Sequence, residues 1–199
     1  MNNYYFFCWK NATQVASAFA PKGTKLAHEL IEDIEGMNEL PFELELVKLT
    51  ETKTELIKDK DLNGLDSIWF DYQPNSLAWP LMSAKLKLII SDNLTGKEGI
   101  SWITAKVNGN GENRNYYIPR FEKMLNVLDE QKTMYVKGTD RIIKPCFSLA
   151  KISSFSIFHK PSAYDLWKIT SGLYVSEELK KAIQKEKLTG IDFEKTTVS

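Results

Sequence analysis

GISWITAKVNGNGENRNYYI, residues 99–118, is the stretch whose reading decides the fold. Gly99–Val107 and Tyr116–Ile118 carry the β-branched and aromatic side chains that suit a pleated, half-buried surface. Between them Asn108–Asn115 is polar and holds two glycines, and is expected to be the longest turn of this region, with Asn108-Gly109-Asn110-Gly111 at a hairpin tip. Working outward, Thr133–Val136 and Arg141–Ile143 are strand-like, and Phe147–Ile152, Phe155–Phe158 and Leu166–Ile169 continue the pattern. Tyr4–Lys10, dense in aromatics, is expected to be a buried strand. Phe42, Leu44 and Leu46 alternate with Glu43 and Glu45 just after Pro41, which predicts a half-buried strand. Ile68–Tyr72 is a shorter candidate that Pro74 ends.

Helical periodicity is confined to three places. Thr24 is placed to cap a helix whose inner face is Leu26, Ala27, Leu30, Ile31 and Ile34, with Gly36 as its stop. Leu81–Ile90 is a second, with Pro80 near its first turn. Ser176 opens a third, with Glu177 and Glu178 in its first turn and Lys185 and Lys187 at its end, as the helix dipole favours. Leu179, Ala182 and Ile183 face inward, Gly190 ends the segment, and Ile191–Phe193 makes a short final strand. Few helices among many strands in irregular order predict an α+β fold of mostly antiparallel mixed sheets with about three helices. A chain of 199 residues fits a single domain, 1–199, with residues 1–75 as a candidate N-terminal subdomain.

Composition excludes several classes. A hydrophobic share of 43 % and an aromatic share of 12 % suffice for a core, which sets the chain apart from disordered sequences. Twenty-six basic and 26 acidic residues balance, against the dominant basic field of a direct nucleic-acid binder. Lys10 interrupts the first apolar run, so no signal peptide is expected, and no stretch approaches the ~18 apolar residues of a membrane helix. Cys8 and Cys146 give no disulfide framework and fit buried thiols in a reducing cytoplasm.

Chemical motifs are sparse. Asp59-Lys60-Asp61-Leu62-Asn63-Gly64 matches the opening of a calcium loop, with oxygen ligands at alternate positions and glycine at the sharp turn. The loop then fails: Asp66 stands where an apolar residue belongs and Phe70 where the bidentate glutamate belongs, so a surface turn is the better account. His28 and His159 have no second histidine at ligand spacing. There is no Gly-x-Ser-x-Gly elbow, and Asn108–Gly111 lacks the lysine of a phosphate loop. No metal or cofactor is expected. Asp66, Asp71, Asp129 and Asp140 are scattered carboxylates that any domain of this size would offer.

Charge placement is more informative. Residues 1–75 hold 7 Lys and 13 Asp or Glu, and residues 76–199 hold 19 Lys or Arg and 13 Asp or Glu. Glu32, Asp33 and Glu35 fall in the last turn of the first predicted helix, where negative charge opposes the macrodipole at a cost of about 0.3–1 kcal/mol each. Glu39, Glu43 and Glu45 follow. This is either a solvated face or an acidic patch that docks a basic partner and raises its association rate. Asp71, alternating with the aromatic Phe70 and Tyr72, joins the candidates.

Phe158, Trp167-Lys168-Ile169-Thr170, Leu173-Tyr174-Val175-Ser176-Glu177-Glu178-Leu179-Lys180 and Lys187-Leu188-Thr189-Gly190-Ile191-Asp192-Phe193 follow one another in an order that resembles a family of immunity proteins. That family belongs to bacterial polymorphic toxin systems and was formerly a domain of unknown function. Tyr116-Tyr117-Ile118 through Val127-Leu128-Asp129 resembles its middle region, so the similarity spans roughly residues 116–193. The resemblance implies a small cytoplasmic protein that binds and neutralises a cognate protein toxin, and it carries over no site residues. Joined to the acidic residues, it tilts the choice between a nuclease and a membrane-active toxin toward a basic nuclease, with Glu32, Asp33, Glu35, Glu43, Glu45, Asp71 and Tyr72 as candidate toxin-binding residues. A hydrolase with a dispersed carboxylate site and a small-ligand-binding regulatory module are the alternatives; either would need a deep pocket.

Overall fold

The structure, a computed structural model, describes residues 3–10, 14–51, 56–162 and 165–199. In chain order the first elements are β1 (Tyr4–Trp9), β2 (Ala16–Phe19), α1 (Ala27–Asp33), β3 (Leu44–Glu51) and β4 (Leu56–Asp59). Next come β5 (Met82–Ser83), α2 (Ala84–Asn93), β6 (Ile100–Gly109), β7 (Glu112–Phe121), β8 (Met134–Tyr135) and β9 (Ile142–Lys144). The chain closes with α3 (Leu149–Ile152), β10 (Ile157–His159), β11 (Leu173–Ser176), α4 (Glu177–Lys185) and β12 (Ile191–Lys195).

The β6–β7 hairpin is the longest ladder, paired from Ile100↔Phe121 to Gly109↔Glu112. Its turn is two residues, Asn110 and Gly111, both left-handed at φ 52° and 74°. This is the hairpin geometry that such an Asn-Gly pair selects. The predicted turn over Asn108–Asn115 is therefore too long. Residues 112–115 pair in the ladder while exposed, so no apolar alternation marks them. Ile103, Ala105 and Val107 alternate into the core opposite Tyr116 and Ile118. A Cβ on Gly109 would lie 2.7 Å from that of Leu46, so only glycine lets β3 approach so closely.

Strand order is β2-β3-β6-β7-β5 in a six-stranded sheet, with β4 also on β3. All its pairs are antiparallel except β3 with β6. A four-stranded antiparallel sheet has the order β10-β11-β1-β12, which sets the first strand between two of the last. The fold is α+β. One core cluster lies under the six-stranded sheet and includes Leu30, Ile31 and Ile34 of the first helical segment. The larger joins the four-stranded sheet to α2 and α4 through Phe7, Leu86, Phe121, Phe147, Phe158 and Leu179.

Several boundaries differ from expectation for local reasons. α1 begins at Ala27: the Glu29 carboxylate accepts the Leu26 N–H at 2.9 Å, while the Thr24 hydroxyl is spent on the Pro21 carbonyl. Leu26 is consequently 65 % exposed and not on the inner face. α2 starts after Ser83, whose Oγ accepts the Leu86 N–H at 3.2 Å, because Met82 and Ser83 pair with Tyr117 and Tyr116 as a strand. Ile68–Tyr72 forms no strand and carries one bridge, Tyr72 to Met82, while Ser67 just before it bridges Val15. Within Phe147–Ile152 a helical turn replaces the expected strand, and Leu166–Ile169 lies in turns. Ser176 caps α4 as predicted, accepting the Leu179 N–H at 3.2 Å. That gives four helices, one of them a single turn, among the described residues.

Candidate functional site

The acids of the first helical segment are not left without counter-charges. Lys25 Nζ reaches Asp33 at 2.6 Å and Lys168 Nζ reaches Glu35 at 2.9 Å, and both ammonium groups are held above the usual lysine range by those carboxylates. Glu32 lines an open depression of about 440 Å³ with Lys25, His28, Glu29, Asp33 and Leu166. These pairs are weak individually, yet they offset the unfavourable dipole that the sequence left uncompensated.

Glu43 and Glu45 stand at the start of β3, whose alternation turns both side chains outward while Leu44 and Leu46 enter the core. Glu45 pairs with Lys60 at 2.6 Å, Glu43 accepts from Asn108 Nδ2 at 2.6 Å, and Glu39 pairs with Lys106 at 2.7 Å. Glu43 and Glu45 border an open groove of about 910 Å³ that also exposes Lys22, Lys25, Lys58 and Lys60. Lys25 lines both hollows, so the acidic residues form a rim interleaved with lysines. Lys106 and Lys168 come from the basic part of the chain. The separation of charge along the sequence is thus partly folded back on itself.

Asp71 and Tyr72 have a different setting. Tyr72 is 5 % exposed, its ring 5.0 Å from that of Phe7, and burial pushes its phenol upward in pKa. The Asp71 carboxylate accepts from Ser83 Oγ at 2.7 Å, and from Thr189 N at 2.8 Å and Oγ1 at 3.0 Å. A Cβ on Gly190 would lie 2.5 Å from the Tyr72 carbonyl oxygen. Together these contacts latch the entry to α2 onto the segment before β12. Phe70 packs on Trp9 as Tyr72 does on Phe7, two residues that share one face of β1.

The family model described as the Immunity protein family (Imm11) matches residues 35–198. The chain belongs to the Imm11 immunity protein family. No curated protein matches the sequence. The Imm11 match takes in Glu35, Glu43, Glu45, Asp71 and Tyr72 and begins after Glu32 and Asp33. It extends the resemblance seen over residues 116–193 well into the N-terminal part.

Other ionisable groups of this Imm11 member are engaged in structural bonds. Asp59 and Asp61 of the calcium-like turn accept the main-chain N–H groups of Asp61 and Asn63 at 2.9 and 3.0 Å. Among the described residues no cluster of three or more His, Cys, Asp or Glu is placed to hold a metal, and no helix is long and apolar enough to cross a membrane. Fully buried Glu98 accepts from Thr95 N and Oγ1 and from Ser156 N, at 2.9–3.1 Å. His159, also fully buried, accepts the Leu125 N–H on Nε2 at 3.1 Å and lies between Phe121 and Trp167. Sequence reading did not single out Glu98 as a buried polar hub. The Thr-x-x-Glu spacing of 95–98, a self-capping pattern, was the available signal.

Proposed function

We propose that this Imm11 member acts in the bacterial cytoplasm as a single-domain inhibitor that binds a cognate protein toxin and covers its active site or substrate groove. It breaks no bonds itself; neutralisation requires only tight complementarity over roughly 1,200–2,000 Å². Membership of the family supports the partner class. The observation that supports the docking mode is the exposed acids Glu32, Asp33, Glu43 and Glu45 at two open hollows that share Lys25, with exposed Glu35 two residues beyond Asp33. Such a rim suits a basic toxin, for which a nuclease is the natural candidate. Charge complementarity of this kind acts chiefly on encounter rate and specificity. Asp71 and Tyr72 hold the fold through Ser83, Thr189 and Phe7. The test is to reverse Glu32, Glu35 and Glu43 to lysine and measure association with the toxin at low and high salt. Association slows and loses its salt dependence if the rim steers the toxin; equal on-rates for both proteins retire it.

A further inference from the structure

Lys25 stands just before α1, and its ammonium is not where helix spacing would put it. Glu29, four residues on, is the partner that spacing offers, but its carboxylate is taken by the Leu26 N–H at 2.9 Å. The lysine instead runs along the helix, a span of ~10 Å, to Asp33 at its last residue, 2.6 Å away. There it lines the open hollow of about 440 Å³ with His28, Glu29, Glu32, Asp33 and Leu166. Asp33 first, and Glu29 and Glu32 less, hold that ammonium above the usual lysine range. The carboxylates alone make the hollow negative; Lys25 seated among them shows that a cationic side chain is what it holds. Glu32 has no ion pair among the described residues.

Lys168, the other lysine of this surface, is held differently. Its Nζ is gripped by Glu35 at 2.9 Å and Asp165 at 3.0 Å, its side chain is 21 % exposed, and its main chain is bonded to Phe121 and Asp165. That is a fixed counter-ion. Lys25 has a single carboxylate partner, and the two side chains are 58 % and 44 % exposed. Such a pair contributes little and exchanges readily, because it ties down a long side chain in high dielectric. Leu166, 37 % exposed, offers an apolar surface on which the stem of another long cationic side chain can lie.

We infer that Lys25 masks the acidic hollow in the free protein and gives way to a lysine or arginine side chain of the toxin, which takes its place on Asp33 and reaches Glu32. This rests on the proposed acidic docking mode, and it names the part of the surface that is contested and the group that contests it. The mask acts on specificity. A small cation from solution has to displace a tethered ammonium group, whereas a protein docked on the surrounding surface presents its own at high effective concentration.

The experiment uses the full chain and two probes, a fluorescein-labelled hexa-arginine peptide and the catalytically inactivated C-terminal domain of the protein encoded immediately upstream of this gene. Lys25→Gln opens the hollow. Lys22→Gln makes the same change of charge in the neighbouring groove and leaves the mask in place. Lys25→Gln is expected to bind both probes roughly 3-fold more tightly than Lys22→Gln does, the scale of one competing exposed ion pair. Adding Glu32→Gln to Lys25→Gln should cancel that gain. All three proteins should keep the wild-type circular dichroism spectrum, since the altered side chains are exposed. Equal affinities of the two lysine variants for the toxin domain, or a gain that survives the loss of Glu32, overturn the inference. If the toxin domain fails to bind even the wild type, the immunity reading beneath it falls, and equal peptide affinities then overturn the mask by themselves.

Discussion

Acidification below neutrality should weaken the fold through His159. The ring is fully buried between Phe121 at 4.6 Å and Trp167 at 5.5 Å. Its Nε2 accepts the Leu125 N–H, which requires the neutral tautomer with the proton on Nδ1, 3.2 Å from the Lys160 carbonyl. Desolvation lowers the pKa below the ordinary histidine value, outweighing the carbonyls of Lys160 and Lys123 that pull it up. The unfolded chain, titrating near ~6.5, takes up a proton that the fold resists, so stability is complete above that pH and declines below it. One proton gives a slope of at most about 1.4 kcal/mol per pH unit, or roughly 1.2 kcal/mol between about pH 7 and about pH 5.5. Asp129, held low first by Ser199, and Glu177, held low first by Asn3, are present as carboxylates throughout that window and lose their contribution only at lower pH. Urea unfolding followed by tryptophan fluorescence at the two pH values measures the loss. His159→Gln should be destabilised by about 1–3 kcal/mol at neutral pH and should show a flattened pH dependence. A wild type equally stable at both values, or a variant with an undiminished decline, would refute the buried neutral imidazole.

The latch around Asp71 predicts two further effects. Asp71→Asn keeps the shape but halves the acceptors offered to Ser83 and Thr189, and should cost about 1–3 kcal/mol in urea unfolding. Gly190→Ala places a methyl group against the Tyr72 carbonyl at φ +77° and should lower stability by clearly more than about 1 kcal/mol. Gly138→Ala, with a similar φ but open space around it, should cost less by the same assay. Tyr4→Phe removes the hydroxyl that donates to the Ile152 carbonyl at 2.9 Å and should lower the melting free energy by about 1 kcal/mol.

The sequence was most informative where burial imposes a period. Phe42–Leu46 and the Leu179/Ile183 face of α4 alternate or recur because one side is packed, and Ser176 marks its helix start through a local bond. It misled where the determining partner lies far along the chain. Leu81–Ser83 has helical periodicity, but pairing with Tyr116 and Tyr117 draws Met82 and Ser83 into a strand. Residues 112–115 look like a turn because an exposed strand held by its partner needs no apolar alternation. Site legibility followed the same division. Glu43 and Glu45 are outward as alternation required, whereas Tyr72 is buried by a contact with Phe7 that no local pattern announces. The lysines that pair with Glu35 and Glu39 sit 133 and 67 residues away at Lys168 and Lys106, so part of the apparent excess of acid is a property of the chain order. The β8–β9 pair was visible as two strand-like stretches, but the exposure of Met134 and Ile143 was not.

Titration of the purified chain into the active toxin domain, with residual toxin activity as the readout, bears most directly on the proposed mode of action. A stoichiometric inhibitor predicts a linear fall that reaches zero at one chain per toxin, independent of incubation time and reversed when the complex is dissociated. Progressive inactivation by a small fraction of an equivalent, persisting after the chain is removed, would show that it modifies the toxin as an enzyme and would contradict the account.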